Sequence, residues 1–283
     1  MRKALIRKTM LGRLTIMAGL LACCTHVSWS QARLSVHWEE LTAADFRSAI
    51  QQSQGTCLLP FGILEKHGPH LPLGTDLLDV RYAALHAAAE EYAVVFPEYY
   101  FGQIFEARHE PGTVAYSREL QLQLLQETTD EMARNGCKKI IIVNGHGGNR
   151  GMLEALGREL HGDFGLNLCA LHLGAMMSPV TDATVPEIHA GKDETSVMLA
   201  LAPELVRRER IPGLKAPPVG DAVRATILDP ATSWPWSSGD ERIAVAGVIG
   251  DARAASVEHG NAIVARIVEA TGAVLKKLGE NLI

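Results

Sequence analysis

The stretch Lys138-Lys139-Ile140-Ile141-Ile142-Val143-Asn144-Gly145-His146-Gly147-Gly148-Asn149 decides the fold. Four consecutive β-branched apolar residues, with no polar alternation, suit a strand covered on both faces rather than one facing water. Such strands belong to parallel sheets, and the polar, glycine-rich turn after it leads into a helical pattern over 150–160. Working back, Ser117–Asn135 opens on a capping serine, carries Leu120, Leu124, Leu125 and Met132, and stops at Gly136, as a helix should. Cys57–Ile63 and Leu166–Leu171 read as strands, Ala93–Phe96 as a short strand stopped by Pro97. Leu77–Tyr92, Thr195–Ala202 and Ala252–Leu278 read as helices, and the prolines of 207–240 predict irregular structure. Strand and helix alternate without internal repeats. The fold class expected is α/β, a mainly parallel sheet flanked by helices on both faces. Ligands of such sheets bind beyond the carboxyl ends of the strands.

Three polar clusters follow predicted strands or lead into helices. The first is Glu65-Lys66-His67-Gly68-Pro69-His70, with Gly74-Thr75-Asp76 behind it. Residues two apart on an extended end point the same way, so Glu65 and His67 can share a target. Asp76 returns at the next helix start. A carboxylate, an imidazole and a second carboxylate form a donor set for zinc, manganese or iron; taken singly, Asp76 would only cap a helix. The second is Asn144–Asn149, where glycines on both sides of His146 leave room for a metal or substrate. It lacks the G-x-G-x-x-G and Walker patterns of phosphate loops. The third is His189-Ala190-Gly191-Lys192-Asp193-Glu194-Thr195-Ser196. Capping explains Asp193, Thr195 and Ser196, whereas His189 has no such reason to be there.

The chain ends and the charge narrow the class. Arg2, Lys3, Arg7, Lys8 and Arg13 precede the apolar run Leu14–Cys24, and no acidic residue occurs before Glu39. This is the order of an export signal, with Ser30-Gln31-Ala32 as its cleavage region. Residues 1–32 are expected to be removed, leaving 33–283 as one domain in the periplasm or secreted. A lipid anchor on Cys23 is the alternative. The run is too short for a stable membrane span. Without the signal, 251 residues remain with 22 basic and 32 acidic side chains, net −10. That charge excludes a nucleic-acid groove and points to a small-molecule partner. Cys57, Cys137 and Cys169 are odd in number and fit no metal or redox spacing, so they are expected to be buried free thiols.

Taken together, E-x-H-G-P-H-L-P-x-G-T-D, N-G-H-G-G-N and H-A-G-x-x-E-T-S resemble the creatininase (creatinine amidohydrolase) family. The resemblance spans about Leu59 to Val206, with a weaker block at Gly247–Asp251. It implies a creatininase-like α/β sandwich, two divalent ions per subunit (zinc, manganese or iron), and hydrolysis of cyclic or linear amide C–N bonds other than peptide bonds. It also implies homo-oligomers, often hexamers. By position, Glu65 and His146 would hold one ion, His67 the other, and Asp76 both, with His189 as catalytic acid/base. Where creatininase has a glutamate two residues after the histidine of its second motif, this chain has Gly148. Glu194 is the candidate to replace it, as ligand or catalytic group.

Glu110-Pro111-Gly112-Thr113 stands for the usual F-P-G-T loop and Ile104 for a substrate-binding serine, so creatinine is not the expected substrate. Three carboxylates in one dry pocket repel, and two divalent cations would offset them to about +1. A metal-bridging hydroxide would attack the carbonyl. His189, at an ordinary pKa of about 6.5, would protonate the leaving nitrogen. Glu106, His109, Trp234 and Trp236 are expected at the pocket rim. The expected function is an exported dinuclear amidohydrolase. The alternatives are a silent periplasmic metal- or ligand-binding protein and a lactonase-like C–O hydrolase.

Overall fold

The β-branched run at Ile140 lies in a strand with partners on both sides. The computed structural model describes residues 33–164, 167–176, 187–216 and 236–280. Within them β1 (Thr56–Phe61), β2 (Val94–Val95), β3 (Lys139–Asn144) and β4 (Asn167–His172) form a four-stranded sheet. Its order is β2-β1-β3-β4 and every neighbouring pair is parallel. All six residues of β3 are buried, as a run without polar alternation requires. The expected export signal at 1–32, with Cys23, and the expected rim residue Trp234 lie outside the described residues.

Six helices among the described residues cover the two faces: α1 (Ala43–Gln52), α2 (Thr75–Glu90), α3 (Arg118–Arg134), α4 (Arg150–Phe164), α5 (Lys192–Leu201) and α6 (Val257–Glu280). The pleat sorts the strand side chains between them. Leu58, Ile141 and Val143 pack against Val80, Ala84, Val197 and Ile263 of α2, α5 and α6. Cys57, Leu59, Phe61, Ile140 and Ile142 pack against Ala49, Leu125, Met132 and Leu153 of α1, α3 and α4. Each fully buried aliphatic side chain contributes about 1.5–3 kcal/mol. The α/β class with a parallel sheet and helices on both faces is therefore observed. No helix of the described residues is long and apolar enough to cross a membrane.

Three details differ from the sequence reading. Helix α1 was not expected; Thr42 starts it by accepting a hydrogen bond from Asp45 N. The long C-terminal helix begins at Val257, because Asp251 caps a separate turn at Ala252–Ala254. Most consequentially, Cys57 and Cys137 are not free thiols but a disulfide, with Cα atoms 5.8 Å apart. Cys57 lies near the start of β1 and Cys137 just ahead of β3. Pairing of those two strands brings together cysteines 80 residues apart. Cys169 remains a free thiol.

Candidate metal centre and active site

Strand β1 has β2 on one side and β3 on the other, so the chain departs from the sheet's centre in opposite directions. The crevice beyond the carboxyl ends of β1 and β3 is the switch point at which sheets of this kind bind ligands. Phe61 and Asn144 are register partners, so the segments following both strands emerge at one end. The loop after β1 carries Glu65 and His67, and Asp76 follows in the first turn of α2, where a carboxylate also suits the helix dipole. Beyond β3, Gly145 lets the chain approach α2. A side chain there would come 3.0 Å from the Asp76 carbonyl oxygen and 2.8 Å from Val80. The third segment enters alongside, with His189 and Ile249 exchanging backbone hydrogen bonds and Glu194 in the first turn of α5.

These elements bring Glu65, His67, Asp76, His146, His189 and Glu194 together. The first five are almost fully buried. Asp76 lies at the centre: its Oδ1 is 3.1 Å from His67 Nε2 and its Oδ2 is 3.4 Å from His146 Nδ1. Glu65 Oε2 is 3.5 Å from His146 Nδ1, and Glu194 Oε2 is 3.9 Å from His67 Nε2. Glu65, Asp76 and His146 thus offer one set of ligand atoms, and His67, Asp76 and Glu194 a second. Glu65, His67 and His189 also fall within reach of one another, but His189 Nε2 is bonded to the Lys66 carbonyl oxygen at 2.9 Å. His67 Nδ1 meets the Glu65 carbonyl oxygen at 3.1 Å, which leaves Nε2 to face the carboxylates.

The donor atoms fit divalent cations. Both carboxylate oxygens of Glu65 and Oδ2 of Asp76 are buried without a hydrogen-bond partner. Buried acceptors are almost always satisfied, and a bare carboxylate away from water is costly. Burial pushes the Glu65 carboxyl up to about 7 despite His146 and His67 nearby. Burial opposes charge on His67, yet Asp76 outweighs it and carries the imidazole to about 10. His146 is raised likewise, against burial, by Asp76 and Glu106. Asp76 is held below the carboxylate range by the two histidines. Glu194 is raised, by burial first and then by Asp76. His189 departs from the expected ordinary value: burial, and then the charge on His67, push it down to about 3. It rests as a neutral imidazole.

The remaining predicted residues divide. Trp236 lines a cleft of about 1090 Å³ above the cluster, with its ring 5.8 Å from that of His189. Glu106 lines it too, but lies deeper than a rim, with Oε1 3.0 Å from His146 Nε2. His109 is not among the lining residues; it is half exposed, turned towards Gly239 and Glu110. The loop at Glu110–Thr113 braces the Glu65 segment, since Thr113 Oγ1 accepts from Lys66 N and Lys66 Nζ pairs with Glu110.

Two sets of bracing residues escaped the sequence reading. Asn149 Nδ2 donates to Asn144 Oδ1, Asn144 Nδ2 donates to the His146 carbonyl, and Gln103 N donates to Asn149 Oδ1. The asparagines bracketing the glycine-rich turn therefore lock it; their symmetric placement was the available signal. Glu187 accepts from Lys192 N and Asp251 N, fastening the His189 segment. No pattern in the sequence marks it.

A family model, Creatininase (creatinine amidohydrolase), matches residues 39–275. The chain belongs to the creatininase family. It is similar to the mycofactocin precursor peptide peptidase of Mycobacterium tuberculosis (strain CDC 1551 / Oshkosh), 31% identical over 235 residues, which cover 78% of this chain and 85% of that protein. It is also similar to the creatinine amidohydrolase of Pseudomonas putida, 28% identical over 253 residues, covering 81% and 92%. Among solved structures, a mutant creatininase of Zn-Zn type superposes with a TM-score of 0.70 at 25% identity, covering 88% of this chain and all of that one. This creatininase-family chain is thus a metal-dependent hydrolase by descent, with candidate ligand groups for metal in its own structure.

Proposed function

We propose that this protein is an exported hydrolase that opens an amide C–N bond with two divalent ions. Glu65, Asp76 and His146 would hold one ion, and His67, Asp76 and Glu194 the other. The observation that carries this reading is the Asp76 carboxylate, which turns one oxygen to each histidine. When bound, the ions supply electrophilic polarisation of a carbonyl and an acidified water. The protein supplies the rest. Its cleft admits the amide beside Trp236. His189, neutral and with Nε2 held by Lys66, has Nδ1 left to accept a proton from water and return it to the leaving nitrogen. It therefore acts first as base and then as acid. The disulfide supports export, because such bonds persist in oxidising compartments. Assembly into homo-oligomers belongs to the same proposal and is read by light scattering.

The test is a panel of cyclic amides, linear amides, short peptides and lactones, assayed with zinc or manganese added. The peptides are included because one relative is a peptide peptidase. Turnover of an amide supports the reading; tight ligand binding with no turnover of any member makes the protein a silent binder. His189→Ala should lower kcat by about 10²–10⁴-fold while both ions stay bound. Loss of an ion in that variant would make His189 a ligand instead.

Metal uptake should also displace protons. At pH 8 a proton should leave His67, with a contribution from His146, whose imidazole is raised, and near pH 7 a further fraction from Glu65. Affinity should accordingly rise with pH from about 6 towards 10. Calorimetry in buffers of different ionisation enthalpy reads the release, and uptake independent of buffer would contradict this ligand set.

A further inference from the structure

We infer that Glu106 is a positioning residue for His146, in a packing that needs position 148 to lack a side chain. His146 is buried and turns Nδ1 towards Glu65 and Asp76. Its other ring nitrogen, Nε2, faces away from those carboxylates and lies 3.0 Å from Glu106 Oε1. The two groups lie within ion-pair distance, and Nε2 has no hydrogen-bond partner. A histidine that binds metal through one nitrogen needs an acceptor at the other to fix its tautomer and ring plane. Glu106 is the carboxylate in place to do this.

Glu106 is itself held. Gln103 Nε2 donates to its Oε2 at 3.1 Å. Its carbonyl oxygen accepts from Ser238 N and from Ser237 Oγ. A Cβ at position 148 would stand 2.3 Å from Gln103 Oε1 and 2.6 Å from His146 Nε2. Glycine at 148 and the Gln103–Glu106 pair are therefore one arrangement: any side chain at 148 would displace the groups that reach His146. Glu106 does not complete either ligand set of Asp76, so it acts through the ring. The inference rests on the two-ion reading above for its effect on metal, but the contact with His146 exists without it.

The experiment compares the full-length protein with Glu106→Ala and Glu106→Gln. Zinc affinity is measured by competition with a chelating dye, and the ring N–H of His146 is followed by NMR after ¹⁵N-histidine labelling. The Ala variant should bind zinc about 10–100-fold more weakly and lose the exchange-protected Nε2–H signal, with its circular dichroism unchanged. The Gln variant, whose amide oxygen still accepts, should stay within about 10-fold of the parent and keep the signal. Should the Ala variant not fold, Glu106→Asp, too short to reach the ring, takes its place. Parent-like zinc affinity with an unchanged ring signal in the Ala variant would overturn the inference. So would equal zinc loss in Gln and Ala, which would make Glu106 a ligand. If the parent binds no divalent ion, the hydrolase reading fails, while the ring signal still decides the Glu106 contact.

Discussion

Asp76→Asn should cripple the protein more than any other single exchange. Each oxygen of this carboxylate serves a different histidine, at 3.1 and 3.4 Å, so one substitution damages both ligand sets. Changes one shell further out typically weaken metal sites by about 10–100-fold. A shared ligand should exceed that, with kcat/KM down by more than about 100-fold and ion content below that of the parent.

The metal-free protein should suffer as well. Removing one partner of a buried ion pair costs about 3–5 kcal/mol, and here two histidines lose it. The pH dependence follows from the shifts. His67, raised to about 10, contributes stability that is complete below about pH 6.5 and is lost as pH rises through 10. Asp76, lowered, contributes above about pH 4 and fades as pH falls below it. Glu65, raised to about 7, removes stability as pH climbs from about 4.5 through 7. On these three groups the chelator-treated parent should be firmest near about pH 4.5 and weaken above it, and the variant should lose most between about pH 4.5 and 6.5. Urea unfolding in chelator across pH measures this. A variant as stable as its parent at pH 6, or one retaining both ions, would show that Asp76 does not join the two ligand sets.

Removing the disulfide should have the second largest effect. The bond closes a loop spanning 80 residues, and the chain-entropy relation gives about 4.5 kcal/mol for a loop of that length. Measured losses for native bridges run about 2–5 kcal/mol. Cys57→Ser with Cys137→Ser adds the burial of two hydroxyls in an apolar layer, so Cys57→Ala with Cys137→Ala isolates the cross-link. That double variant should unfold at clearly lower urea, and the parent should match it under reductant strong enough to open the bond. Equal midpoints for parent and variant would show that the bridge does not hold the sheet.

How much was legible in the sequence depended on whether the information was local. Ile140–Val143 announced a strand covered on both faces because pattern alone sets that. Ser117 and Gly136 bounded α3 for the same reason. Helix α1 stayed hidden because its polar sequence buries only Ala49 fully. The disulfide was missed because no spacing rule links Cys57 to Cys137; their proximity arises from the pairing of β1 with β3. The grouping of Glu65, His67, Asp76 and His146 could be suspected from positions after strands. Their distances depend on the strand order β2-β1-β3-β4, which no local pattern encodes. The value of His189 was misjudged for a related reason, since a loop histidine shows neither its burial nor its charged neighbour. Glu106 was seen as a rim residue because nothing in its own segment points to a histidine 40 positions away.

Strands β1 and β3 carry a sulfur bridge at their amino ends and acidic and imidazole groups at their carboxyl ends. The middle of the sheet thus has a covalent clasp at one extremity, set by oxidant, and at the other a group of side chains that divalent cations would draw together. A reduced, metal-free polypeptide would have neither clasp closed. Its central strand pair would then rest on the β1–β3 hydrogen-bond ladder and on the apolar packing of both faces.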